Sequence, residues 1–127
     1  MTTFTALRPV LWTENLDDTV SFYIHILGFT LMGRNDDWQW ASLRKDDVQI
    51  MLSRPNVYEK TIGIGFTGSF YFNVDNVDDL WEDLKTKAKI CYEIETFERD
   101  MREFAVYDNN GYLLQFGQPV DYIGNTE

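Results

Sequence analysis

ENLDD at residues 14–18 and DNVDD at residues 75–79 are near copies of each other, with Asn15 and Asn76 sixty-one residues apart. Each has the same physical content: an asparagine suited to cap the first free N–H groups of a helix, then two carboxylates in its positive first turn. After the first motif Leu16, Val20, Tyr23 and Leu27 recur at helical spacing, and Gly28 supplies a stop. After the second, Val77, Leu80, Trp81, Leu84 and Ala88 draw the apolar stripe, while Lys85, Lys87 and Lys89 favour the negative helix end.

Strand patterns surround both helices in the same order. One strand precedes each helix, at 5–12 and 67–74, and three follow: 29–35, 38–44 and 48–53 in the first half, 91–97, 103–108 and 112–117 in the second. Asn109-Asn110-Gly111 joins the last two as a hairpin, because asparagine and glycine tolerate positive φ. The prediction is an α+β chain made of a βαβββ unit used twice. Repeat one spans 5–53, a linker 54–66, repeat two 67–117 and a tail 118–127, all in one domain over 1–127.

A chain of 127 residues with 44% hydrophobic and 16% aromatic content has enough material for one core, which argues against disorder. Twenty-one acidic against eleven basic residues leave a net charge of −10, which repels phosphate backbones and anionic lipid. No nucleic-acid or membrane partner is expected. No apolar run is long enough to cross a bilayer, the opening residues lack the pattern of a targeting segment, and Cys91 is the only cysteine. A cytoplasmic location and no intrachain disulfide are the resulting expectations.

PVLWTENLDDTVSFYIHILGF at 9–29 and REFAVYDNNGYLLQFG at 102–117 resemble the vicinal oxygen chelate superfamily, which includes glyoxalase I, extradiol dioxygenases and the fosfomycin- and bleomycin-resistance proteins. The first segment is similar to the family's strand, acidic cap, helix and FYxxxLGF close. The second is similar to its REFxVxDPDGYLLEFG ending, departing at Asn109-Asn110 where Pro-Asp is usual. The resemblance implies a curved mixed sheet around a cavity, with the helices outside. Alternation independently divides the strands into two faces. Leu7, Pro9, Leu11, Val48, Ile50, Leu52, Phe70, Phe72, Val74, Leu114 and Phe116 form an apolar set destined for the core. The opposite parity, with Arg8, Trp12, Gln49, Met51, Ser69, Tyr71 and Gln115, is the mixed lining that a small-molecule site needs.

Enzymes of that superfamily carry metal ligands on the first and last strand of each unit. The resemblance places those positions at Arg8, Met51, Ser69 and Gln115. Arginine stays protonated, methionine is a weak ligand for zinc, iron or manganese, and serine seldom binds, so only Gln115 suits a metal. No metal and no cofactor are therefore expected. His25 falls near a helix end and suits that position or the surface, Asp75, Asp78, Asp79, Glu82 and Asp83 serve capping and solvation, and Glu93, Glu95 and Glu98 line a solvent edge. No nucleophilic triad can be assembled around Cys91, which reads as a small strand residue, and GIGFTG at 63–68 lacks the lysine and following helix of a phosphate loop. No catalytic residue is assigned.

Aromatic residues carry the remaining signal. Trp12, Trp38 and Trp40 share the parity of the cavity face, as do Glu103 and Tyr107, so stacking of a flat organic ligand is expected there. The resemblance extends to bleomycin-resistance proteins, acidic dimers that sequester a flat cationic drug. It implies a metal-independent sequestration protein, a small organic ligand that is aromatic and cationic, and a homodimer. The alternatives are a lyase, isomerase or dioxygenase-like enzyme of the same superfamily, with Glu103 or Tyr107 as acid or base and Arg8 stabilising an oxyanion, or a non-catalytic structural or regulatory module.

Overall fold

The computed structural model describes residues 1–55, 64–66, 68–97 and 100–120. Most of the expected linker (56–63), Thr67, Glu98 and the end of the expected tail (121–127) lie outside the described residues. The fold is α+β and comprises two units, Met1–Ile64 and Gly65–Glu127, each with a four-stranded mixed sheet.

In the first unit, β1 (Val10–Trp12) leads into α1 (Leu16–Ser21), followed by β2 (Thr30–Asn35), β3 (Trp40–Lys45) and β4 (Val48–Ser53). The strands lie in the order β1-β4-β3-β2, with β1 parallel to β4 and the other pairs antiparallel. Asn15 caps α1 by accepting the Asp18 N–H at 3.1 Å, and its own amide reaches the Asp18 carboxylate at 2.7 Å. Beneath the cap, the buried hydroxyls of Thr13 and Thr19 share a hydrogen bond of 2.8 Å. The helix then widens into a π-helical turn at Phe22–Ile26, where Leu27 donates to the Phe22 carbonyl five residues back, and Gly28 ends it at φ +82°. Alternation did not foretell that wider turn. Leu16, Val20, Tyr23 and Leu27 are buried as expected, against Leu11, Ala41, Leu43, Ile50 and Leu52 on one face of the sheet.

The second unit repeats the plan: β5 (Phe70–Asn73), α2 (Val77–Leu84), β6 (Lys89–Phe97), β7 (Met101–Tyr107) and β8 (Leu113–Pro119), in the order β5-β8-β7-β6. Asn76 caps α2 as Asn15 caps α1, accepting from Asp79 N–H at 3.1 Å. Helix α2 packs on β7 and β8, where Trp81, Phe104, Phe116 and Phe72 form a chain of ring contacts 5.1–5.3 Å apart. The hairpin at Asn109-Asn110-Gly111 forms as expected, with Gly111 at φ +88°. Buried Asp108 organises it, one carboxylate oxygen accepting the N–H groups of Asn110 and Tyr112 at 2.8 and 2.9 Å.

Several expected boundaries move. The first strand begins at Val10 rather than residue 5: Pro9 has no N–H to give the ladder and only its carbonyl is used, by Met51 at 2.9 Å. Leu7, expected in the core, is 90% exposed. Trp38 is not on β3. It sits in the preceding turn, where its N–H is taken by the Asn35 side chain at 3.0 Å and Gln39 adopts φ +51°. Helix α2 stops at Leu84 instead of running to Ala88, while Lys85 and Lys87 pair with Glu82 and Asp83, each at 2.6 Å. Strand β8 continues two residues past the expected Gly117. His25 is exposed, in the helix end predicted for it.

Candidate functional site

Register places the candidate residues on the sheet face away from each helix. In the first unit Trp12 and Trp40 both pair with Ser53, one from either side, so two half-buried indoles flank one position of β4. A Cβ built on Gly33 would meet the Trp40 ring at 3.4 Å, so the indole lies against a strand position that has no side chain. Met51 lies between Val10 and Ser42, and Gln49 is opposite Arg44. Arg8 is exposed and precedes β1, and Trp38 is 65% exposed in its turn. A shallow, open depression of about 400 Å³ in this unit is lined by Gly28, Thr30, Met32, Arg44, Lys45 and Asp46, none of them a predicted site residue.

The second unit gathers its candidates more tightly. Tyr71, Gln115 and Ala105 follow one another across β5, β8 and β7, and Tyr92 of β6 completes the row. Ser69, just before β5, donates to Gln115 Oε1 at 2.5 Å, and Gln115 Nε2 donates to Tyr92 Oη at 2.8 Å. The Tyr92 hydroxyl in turn donates to Glu103 Oε2, while the Tyr71 hydroxyl donates to Glu103 Oε1 at 2.8 Å. Four sequence-predicted residues, Ser69, Tyr71, Glu103 and Gln115, therefore meet in one hydrogen-bonded chain.

Tyr92 is the member that sequence reading missed. Irregular pairing on either side of it, between Ile90 and Tyr92 and again before Glu95, breaks simple alternation in β6 and lets Tyr92 face Ala105. A tyrosine flanked by Ile90 and Ile94 at even spacing reads as one more member of the core stripe, so parity alone points the wrong way. Burial pushes the Tyr71 phenol up to about 12, helped by its hydrogen bond to Glu103 and that group's charge. Tyr92 is also pushed up to about 12, first by burial and then by Glu103, with the Gln115 amide acting in the opposite sense. Both phenols stay protonated at neutral pH and so remain donors.

Tyr107 stands outside this chain. The neighbouring Cys91 thiol raises the pKa of its phenol, and Lys89 Nζ lies 5.5 Å from its ring centre.

The side chains at the four positions that the family resemblance assigned to a metal are chemically poor ligands. Arg8 is cationic, Met51 offers a soft thioether between Val10 and Ser42, and Ser69 and Gln115 are bonded to each other. Among the described residues no three histidine, cysteine, aspartate or glutamate side chains converge to hold a metal ion. No described helix is long and apolar enough to cross a membrane.

Comparison with solved structures gives the same architecture. The fold superposes on TioX from Micromonospora sp. ML1 with a TM-score of 0.76 at 20% identity, covering 92% of this chain and 100% of that one. A glyoxalase/bleomycin resistance protein/dioxygenase from Nocardioides gives 0.76 at 16% identity, with 95% and 87% covered. Lactoylglutathione lyase from Agrobacterium tumefaciens gives 0.70 at 14%, with 92% and 96% covered. No curated protein matches the sequence. The family model described as Glyoxalase/Bleomycin resistance protein/Dioxygenase superfamily matches residues 5–116, and the chain belongs to that superfamily.

Proposed function

We propose that this chain is a small-molecule-binding protein of the superfamily that sequesters its ligand without a resident metal, in the manner of the bleomycin-resistance proteins. One observation carries the reading: Ser69 and Gln115, at two positions that the family resemblance assigns to a metal, are closed into a hydrogen-bonded chain with Tyr92, Glu103 and Tyr71. That arrangement offers fixed polar atoms beside phenol rings, which orients an organic ligand but supplies no Lewis acid. In the first unit Trp12 and Trp40, with Gln49 and Met51 on the same sheet face, add aromatic and polarisable surface. Arg8, Trp38 and Tyr107 are proposed at the margin of the ligand surface. The working form is proposed to be a homodimer, since Phe4 and Leu7, 95% and 90% exposed, are apolar groups a partner copy can cover.

The test joins elemental analysis, light scattering and a thermal-shift screen of aromatic small molecules on the purified chain. Expected are less than stoichiometric transition metal, a dimer at micromolar concentration, and a ligand that raises Tm by mass action in the presence of chelator. A tightly held metal at about one per chain, whose removal abolishes ligand binding, overturns the reading.

A further inference from the structure

The donors and acceptors of the Ser69–Gln115–Tyr92–Glu103–Tyr71 chain are unequally spent. The Ser69, Tyr92 and Tyr71 hydroxyls each give their single proton to another member, and Gln115 gives one amide hydrogen to Tyr92. The second amide hydrogen of Gln115 is then the only donor left over. Acceptors are in surplus, because a carboxylate oxygen carries two lone pairs and each Glu103 oxygen receives one phenol. The Tyr71 and Ser69 oxygens also keep lone pairs. Among the described residues no ion pair to Glu103 is formed, and Arg102, its neighbour in β7, pairs with Asp78 instead.

A ligand group that brings acceptors meets four oxygens and one N–H, and one that brings donors meets complementary lone pairs. The carboxylate is half-buried and held from both sides, so its negative charge is fixed in place with little rearrangement needed on binding. Tyr71, 40% exposed, leaves part of its ring open beside that charge. A planar cation with several N–H groups answers all of these features, bonding to carboxylate and phenol oxygens in its plane and lying against an aromatic face.

We propose that Glu103, held between Tyr71 and Tyr92, binds the amidinium or guanidinium group of the ligand. The assignment deepens the small-molecule-binding reading and rests on it. Its probes are benzamidinium, neutral benzamide and anionic benzoate, titrated by calorimetry into the 127-residue chain with chelator present. Benzamidinium should bind about tenfold or more tightly than either analogue, and Glu103→Gln should weaken it by about tenfold or more. The unsubstituted chain gives an independent readout if that variant fails to fold: benzamidinium should move the Glu103 side-chain carboxyl carbon resonance, saturating with the calorimetric affinity.

Benzoate or benzamide binding as tightly as benzamidinium overturns the assignment, as does an unmoved Glu103 resonance or a folded Glu103→Gln variant with unchanged affinity. Each of those results leaves a metal-free binding protein standing when another ligand from the screen binds. Absence of any ligand for the chelated chain overturns both.

Discussion

Tyr71 reaches Glu103 by passing directly over Gly117: a Cβ at Gly117 would lie 1.9 Å from the Tyr71 hydroxyl oxygen, while that hydroxyl donates to Glu103 at 2.8 Å. Gly117 pairs with Glu103 across β7 and β8 and with Asn73 of β5, so it occupies the place beneath a phenol that leans from the neighbouring row. Glycine is needed there for clearance, its φ being unremarkable.

Gly117→Ala is therefore expected to displace Tyr71 and leave the fold intact, since the atom in the way is the far end of a side chain free to swing into solvent. Titration by ultraviolet difference absorbance should show one phenol moving from about 12 toward the ordinary value near 10, with Tm lowered by only a few degrees. A large loss of Tm with the phenol still at about 12 contradicts this geometry.

Alkaline pH should loosen the second unit. The Tyr71 and Tyr92 phenols, raised to about 12 in the folded chain, keep their protons where the unfolded chain has released them. Their contribution is fully present below about pH 10 and is lost as pH rises toward about 12. Urea midpoints measured across this window should fall, and the fall should be shallower in Tyr71→Phe and Tyr92→Phe. An equal slope in both variants removes these phenols from the account.

The two helix caps should cost alike. Asn15→Ala and Asn76→Ala each remove a side chain that accepts a first-turn N–H at 3.1 Å, worth about 1 kcal/mol. Asn15 also supports the buried Thr13 and Thr19 pair, its N–H donating to Thr13 and its carbonyl accepting from Thr19, but these are backbone groups that alanine retains. Chemical denaturation should accordingly give the two variants similar losses, and Asp substitutions should recover most of each.

The tryptophans should separate into two kinds. Trp38→Ala, at a position 65% exposed in a turn, is expected to change Tm by no more than about a degree or two. Trp40→Ala uncovers Gly33 and should destabilise by about 1–3 kcal/mol, as well as weakening any ligand that stacks in the first unit by about tenfold. Paired melting and affinity measurements on both variants check this, and equal Tm losses would contradict it.

What the sequence by itself determined was local or periodic. The caps at Asn15 and Asn76, the stop at Gly28, the hairpin at Gly111 and the doubled βαβββ order depend on neighbours a few residues apart, which is why they can be read without coordinates. Alternation likewise put Ser69, Tyr71, Glu103 and Gln115 on one face, although it could not say that they touch. Tertiary structure decided that contact, because it depends on the register of β5, β7 and β8 and on clearance over Gly117. It also decided two placements. Trp38 lies in the turn before its expected strand, its N–H on the Asn35 side chain, and Tyr92 faces Ala105 where pairing with β7 becomes irregular. In a strand, one residue of irregularity reverses every later side chain, and nothing in residue type reports where that residue is inserted.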